Sequence, residues 1–160
     1  MPGGKKQRTW DGARTAAENV RNVLPGLTAR FYQAGRKAAH TELSHRKLHR
    51  FRLKAKRFRY TLELFQGFYG PSFGQLLTGL REIQNHLGKM SDCVSMEALF
   101  EAEPKLASAA RRRATKHAAE FKTYWKDEFD GEGEEERWVR YLGRAMKGAQ
   151  RAARKKDVKQ

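Results

Sequence analysis

The chain has 160 residues, enough for one domain with a real core, and 34 Lys and Arg against 18 Asp and Glu give it a net charge of +16 and a pI near 10.3. That excess points to a polyanionic partner: nucleic acid, anionic lipid or a phosphate polymer. Cys93 stands alone, which excludes an internal disulfide framework and fits a reducing, cytoplasmic setting, while the absence of any long apolar run argues against secretion and membrane spanning.

Residues 1–10, Met-Pro-Gly-Gly-Lys-Lys-Gln-Arg-Thr-Trp, read as a flexible basic arm before a helical domain over 11–129. From Gly12 to Val23 the pattern is helical, with Val20, Val23 and Leu24 on one side. Leu24-Pro25-Gly26 predicts a break. A second helix from about Thr28 to Ala39 would put Leu27, Phe31, Ala34 and Ala38 on a core face, and Thr41 or Ser44 can cap the next one.

That next helix, His45 to about Phe65, organises the chain. Between His45 and Glu63 there are eight Lys or Arg, two His and no acid before Glu63. At about 100° per residue, Leu48, Phe51, Ala55, Phe58 and Leu62 form an apolar stripe. His45, His49, Arg52, Lys56, Arg59 and Glu63 form a file beside it, and Arg46, Arg50, Lys54 and Arg57 take the outward side. Cations filed beside a packed seam repel one another until an anion arrives. A merely solvated basic face is the bland alternative.

Gly67, Gly70 and Pro71 end this helix, and Ser72 starts another carrying Phe73, Leu76, Leu77, Leu80, Ile83, Gln84 and Leu87. Gly88 is placed like a C-terminal glycine stop, with Ser91 or Asp92 capping a short helix through Val94, Met96, Leu99 and Phe100. Pro104 opens a long helix aligning Leu106, Ala110, Ala114, His117, Phe121 and Tyr124, with Trp125 at its margin. The acidic stretch 127–136, and 130–136 in particular, reads as an exposed loop. A final basic amphipathic helix and tail, assigned to 137–160 with its pattern starting near Glu134, carries Trp138, Tyr141, Leu142, Ala145 and Ala149. Arg140, Arg144, Lys147, Arg151 and Arg154 lie on its other side. With no strand alternation, the fold class is all-α: an antiparallel helical bundle, four-helix-bundle-like, with long basic helices.

Catalytic signatures are weak. No Ser-His-Asp or Cys-His order, phosphate-cradling Gly loop or carboxylate pair stands out, so the chain is expected not to be an enzyme and to need no cofactor. His45 and His49 resemble half a metal site, but the abutting cations oppose metal, and His49 reads as a hydrogen-bond donor to phosphate or an orienting neighbour. Cys93 reads as a small buried residue. In Arg111-Arg112-Arg113 with Lys116, Arg113 borders the apolar stripe and is the stronger ligand candidate.

Leu48-His49-Arg50-Phe51-Arg52-Leu53-Lys54-Ala55-Lys56-Arg57-Phe58-Arg59-Tyr60-Thr61-Leu62-Glu63, followed by Leu80 to Gly88 and Ser91-Asp92, resembles a CHAD domain, a conserved histidine α-helical domain. His-x-x-Arg-x-x-x-Lys-x-x-Arg-Tyr is met at His49, Arg52, Lys56, Arg59 and Tyr60. Leu-Gly-x-x-x-Asp is met at Leu87, Gly88 and Asp92, with Ser91 where the family often has Asn. The likeness is strong over residues 27–100 and loose to 129. It implies a non-catalytic module that binds inorganic polyphosphate in a basic groove and associates with polyphosphate granules. The implied contacts are His45, His49, Arg50, Arg52, Lys56, Arg57, Arg59, Arg81, Arg113 and Lys116, with Tyr60, Glu63 and Asp92 orienting them. A typical family member duplicates the His/Arg/Lys helix; here neither 9–26 nor 105–160 repeats it. Either the chain is a decayed domain with reduced binding, or it is a half that pairs: a homodimer with Trp138, Tyr141, Leu142 and Ala145 as its seam would restore the second copy, though the same stripe equally suits covering the chain's own core. A nucleic-acid-binding helical protein is the alternative, and an enzyme acting on phosphoanhydrides is disfavoured for want of an acidic metal cluster.

Overall fold

Thr15 and Glu18 start the first helix by a reciprocal cap. The Glu18 N–H donates to Thr15 Oγ1 at 3.2 Å and the Thr15 N–H donates to Glu18 Oε2 at 2.9 Å. In the computed structural model, which describes residues 9–144, this helix, α1, runs unbroken over Ala16–His40. The predicted break at Pro25 does not occur. An interior proline costs about 3 kcal/mol, but Val20, Leu24 and Phe31 on either side are buried, each stabilising by about 1.5–3 kcal/mol. The proline ring also meets the last helix, lying 3.7 Å from where a side chain on Gly143 would begin.

Ser44, not Thr41, caps α2 (His45–Leu64), accepting from the Lys47 N–H at 3.3 Å. A single turn of 3-10 helix over Gln66–Phe68 and the Gly70-Pro71 turn follow. Next, α3 spans Phe73–Leu99 without interruption. Gly88 is no stop and neither Ser91 nor Asp92 is a cap, because Leu80, Ile83, Leu87, Met90 and Cys93 continue one buried stripe through the glycine. Pro104 opens α4 (Pro104–Tyr124) in the first-turn position where its missing N–H has no bond to lose. Leu106, expected in the core, is 50% exposed.

The expected acidic loop is confined to residues 130–133, with helix on both sides of it. One π-helical turn, Trp125–Phe129, buries both its aromatic ends, and α5 (Glu134–Arg144) begins with Glu134, Glu135 and Glu136 at its positive dipole end. Between them Asp130 accepts from Arg36 Nε at 2.8 Å, Arg36 Nη2 at 2.7 Å and Trp125 Nε1 at 3.1 Å, while Arg36 Nη1 donates to Glu135. These bonds, the one to Asp130 foremost, hold the Arg36 guanidinium above its ordinary pKa.

Helices α1 to α4 pack around one core as an all-α, antiparallel four-helix arrangement, and α5 lies along α1; among the described residues there is no strand. Phe31 sits at the centre, its ring 4.5 Å from Phe58, 5.5 Å from Phe51 and 5.8 Å from Trp125. Gly35 makes room for the indole, since a Cβ there would fall 1.9 Å from Trp125 Cη2. Trp138 and Leu142 are buried within the chain, and the Tyr141 hydroxyl donates to the Gly70 carbonyl at 3.3 Å, so the described part of this stripe covers the protein's own core, the second of its two expected roles. Ala145, Ala149, Lys147, Arg151 and Arg154, and the arm as far as Arg8, lie outside the described residues. Trp10, assigned to that arm, stacks on Phe65 with ring centroids 6.1 Å apart.

Candidate functional site

The apolar stripe of α2 turns into the core: Leu48, Phe51, Ala55, Phe58 and Leu62 are all buried. That burial fixes the rotation of α2 and brings its cationic file against α3, which runs antiparallel beside it. At one end His49 Nδ1 lies 3.0 Å from Ser91 Oγ. In the middle, Gly88 leaves space for Arg52, whose Nε lies 3.9 Å from where a Cβ on Gly88 would stand. At the other end Arg59 Nη1 donates to Glu63 Oε1 at 2.5 Å, and Arg81 Nη2 reaches the same oxygen at 3.3 Å. From His49 to Glu63 the file is about 21 Å long at about 1.5 Å per residue.

Its electrostatics are one-sided. Glu63 offsets Arg59 and Arg81, but Arg52 and Lys56 form no ion pair among the described residues. His45 and Arg52 are half-buried; His49 and Lys56 are exposed. The Arg59 side chain is only 17% exposed, and its Nε is buried without a hydrogen-bond partner among the described residues. Tyr60 supports two cations from the outer edge, with the Arg59 guanidinium 4.6 Å and Lys56 Nζ 5.7 Å from its ring centroid. The result is a shallow positive groove with spare donors.

Not every candidate residue belongs to it. Arg50 and Arg57 are exposed on the solvent side of α2, away from α3. Arg113 and Lys116 are exposed on α4, and Lys116 pairs with Glu120 at 3.8 Å. Their helix meets α3 through Glu97, which binds Arg111, and His86, which lies 3.9 Å from Glu120. His86 is about 200° around α3 from Gly88, so these contacts lie on the opposite side from the groove. Asp92 is exposed and forms no ion pair among the described residues, and Ser91 meets His49 instead.

Gly88 and Ser91 thus shape the groove, although as residue types neither suggested it. The spacing of Arg81, Gln84, Gly88 and Ser91 held the signal: a small or polar file at steps of three and four, visible only if α3 is taken as continuous.

Among the described residues no three His, Cys, Asp or Glu side chains gather closely enough to hold a metal ion, and no helix is long and apolar enough to cross a membrane. A family model described as CHAD domain matches residues 5–101, which include both walls of the groove. No curated protein and no solved structure matches the chain.

Proposed function

The chain belongs to the CHAD domain family, and on that premise we propose that it is a non-catalytic module that binds inorganic polyphosphate along the groove between α2 and α3. The observation that carries the reading is the cationic file beside the core, where among the described residues Arg52 and Lys56 lack acidic partners and Arg59 keeps an unused donor. Guanidinium forks and ammonium groups at helical spacing suit a ligand of repeated phosphate oxygens without base edges. A base-reading groove would need free aromatic faces, whereas Phe51 and Phe58 are buried and Tyr60 lies under Arg59.

The test is labelled polyphosphate at moderate salt, challenged with DNA of equal charge. Polyphosphate should resist displacement, and the double substitution Arg52→Glu/Lys56→Glu should abolish binding with helical content intact. Survival of binding in that variant would make the face a solvated surface, and equal displacement by DNA would favour the nucleic-acid reading. The same proposal assigns the protein to the cytoplasm at polyphosphate granules, which colocalisation imaging tests. Any homodimer in this reading is bridged by ligand, because the Trp138–Leu142 stripe is used internally. Light scattering with and without short polyphosphate should show a larger particle only with ligand.

A further inference from the structure

Six residues of α2 form one straight file: Arg46, Arg50, Leu53, Arg57 and Leu64 lie outside both core and groove, and Tyr60, which backs Arg59 and Lys56, stands on the border with the groove. Alternating steps of four and three keep them in line along a helix. All six are exposed, Leu64 at 75%, Tyr60 at 49% and Leu53 at 40%, and none of the three arginines has an ion-pair partner among the described residues. A phosphate polymer can use the arginines but gains nothing from the leucines. A purely solvated face gains nothing from them either.

Where the file ends, Trp10 stacks on Phe65, the residue after Leu64, and is itself 54% exposed. Exposed Trp, Tyr and Leu among unpaired arginines match the boundary at which lipid headgroups meet acyl chains. There the apolar side chains sink below the headgroups while long cationic ones reach phosphate. We propose that this side of α2 docks the protein on an anionic membrane surface, with Leu53 and Leu64 inserted and Arg46, Arg50 and Arg57 on lipid phosphates. An acidic amphipathic helix would also match the four-three spacing, but Trp10 lies beyond the end of that seam and would stay unused. A lipid surface takes the seam and Trp10 together, and the whole net charge of +16 favours its approach.

The proposal is independent of polyphosphate binding, which uses the adjoining face, and the two can fail separately. Vesicles of phosphatidylcholine, with and without phosphatidylglycerol, are mixed with the full chain and pelleted while tryptophan emission is recorded. Trp125 and Trp138 are buried, so a blue shift reports Trp10. The expected result is binding and a blue shift with the anionic vesicles only. Leu53→Ser/Leu64→Ser should weaken that binding about tenfold or more, since each leucine loses its apolar burial, while polyphosphate affinity stays within about twofold. Both leucines are exposed, so circular dichroism should be unchanged. Binding of the leucine variant equal to wild type, or none by wild type, would overturn the proposal. So would lipid-free self-association that vanishes in the leucine variant, because the face would then belong to a protein contact. Vesicle binding without polyphosphate binding would sink the function proposed above and leave this inference standing.

Discussion

Replacing Gly88 by alanine distinguishes a helix stop from a groove residue by the sign of its effect. A left-handed stop loses stability when it gains a side chain, by more than the roughly 0.4–1 kcal/mol such a change can otherwise gain. In the structure Gly88 is interior to α3, and among the described residues only Gly133 has a positive φ, at 76°. An added methyl group would lie 3.9 Å from Arg52 Nε, which is ordinary contact. Alanine then keeps most of its helix advantage over glycine, about 0.8–1 kcal/mol. The expected net gain is about 0.5–1 kcal/mol, raising Tm by about 2–5 °C for a domain of this size. Thermal and urea unfolding followed by far-UV circular dichroism would measure it, with an unchanged urea slope showing that the folded state is the same. A lower midpoint would refute the placement of Gly88. The larger change Gly88→Leu occupies the space beside the Arg52 guanidinium, so polyphosphate affinity should drop several-fold while the fold persists. Undiminished binding there would mean that α3 does not position Arg52.

Gly35→Ala should do the opposite, because its Cβ would fall 1.9 Å from Trp125 Cη2; displacing the indole should cost about 3 kcal/mol, read as a lower urea midpoint with no gain at any pH. Thr15→Ala removes the α1 cap and should cost about 1 kcal/mol, whereas Thr15→Ser should retain most of it. The hydrogen bond from His117 holds the Glu120 carboxyl below the pKa of an ordinary glutamate. Its stabilising contribution is therefore present above that value and lost as pH falls through the folded-state value. Unfolding midpoints of wild type and Glu120→Gln should thus differ most above about pH 5 and converge on further acidification; a difference that grows toward low pH would contradict this pairing. Polyphosphate affinity should fall with salt at a log–log slope of roughly −3 if about four cations each contribute about −0.7, and Arg52→Glu/Lys56→Glu should flatten it; a salt-independent affinity would rule out the groove.

Side-chain periodicity along single helices was legible in the amino-acid order alone. The five apolar residues of α2 are all buried, the cationic file lies beside them, and the all-α class follows from stripes that recur at helical spacing. Half of the groove was therefore visible: its α2 wall, with His49, Arg52, Lys56 and Arg59. Where strong local signals pointed elsewhere, long-range burial prevailed. Pro25 and Gly88 each cost their helix a few kcal/mol at most, less than the side chains buried around them contribute. The acids of 127–136 concealed Phe129 and Asp130, because the partner that makes Asp130 favourable to bury is Arg36, 94 residues earlier in the chain. Likewise Arg113 and Lys116 carry the charge expected of ligand contacts, but α4 packs on the far side of α3 from the groove. Ser91 meets His49 only after α2 and α3 lie side by side. Periodicity fixes which residues share a face of one helix, since it is a property of the local backbone; which face of another helix lies opposite depends on how all the stripes are buried at once, and only the tertiary structure decides that.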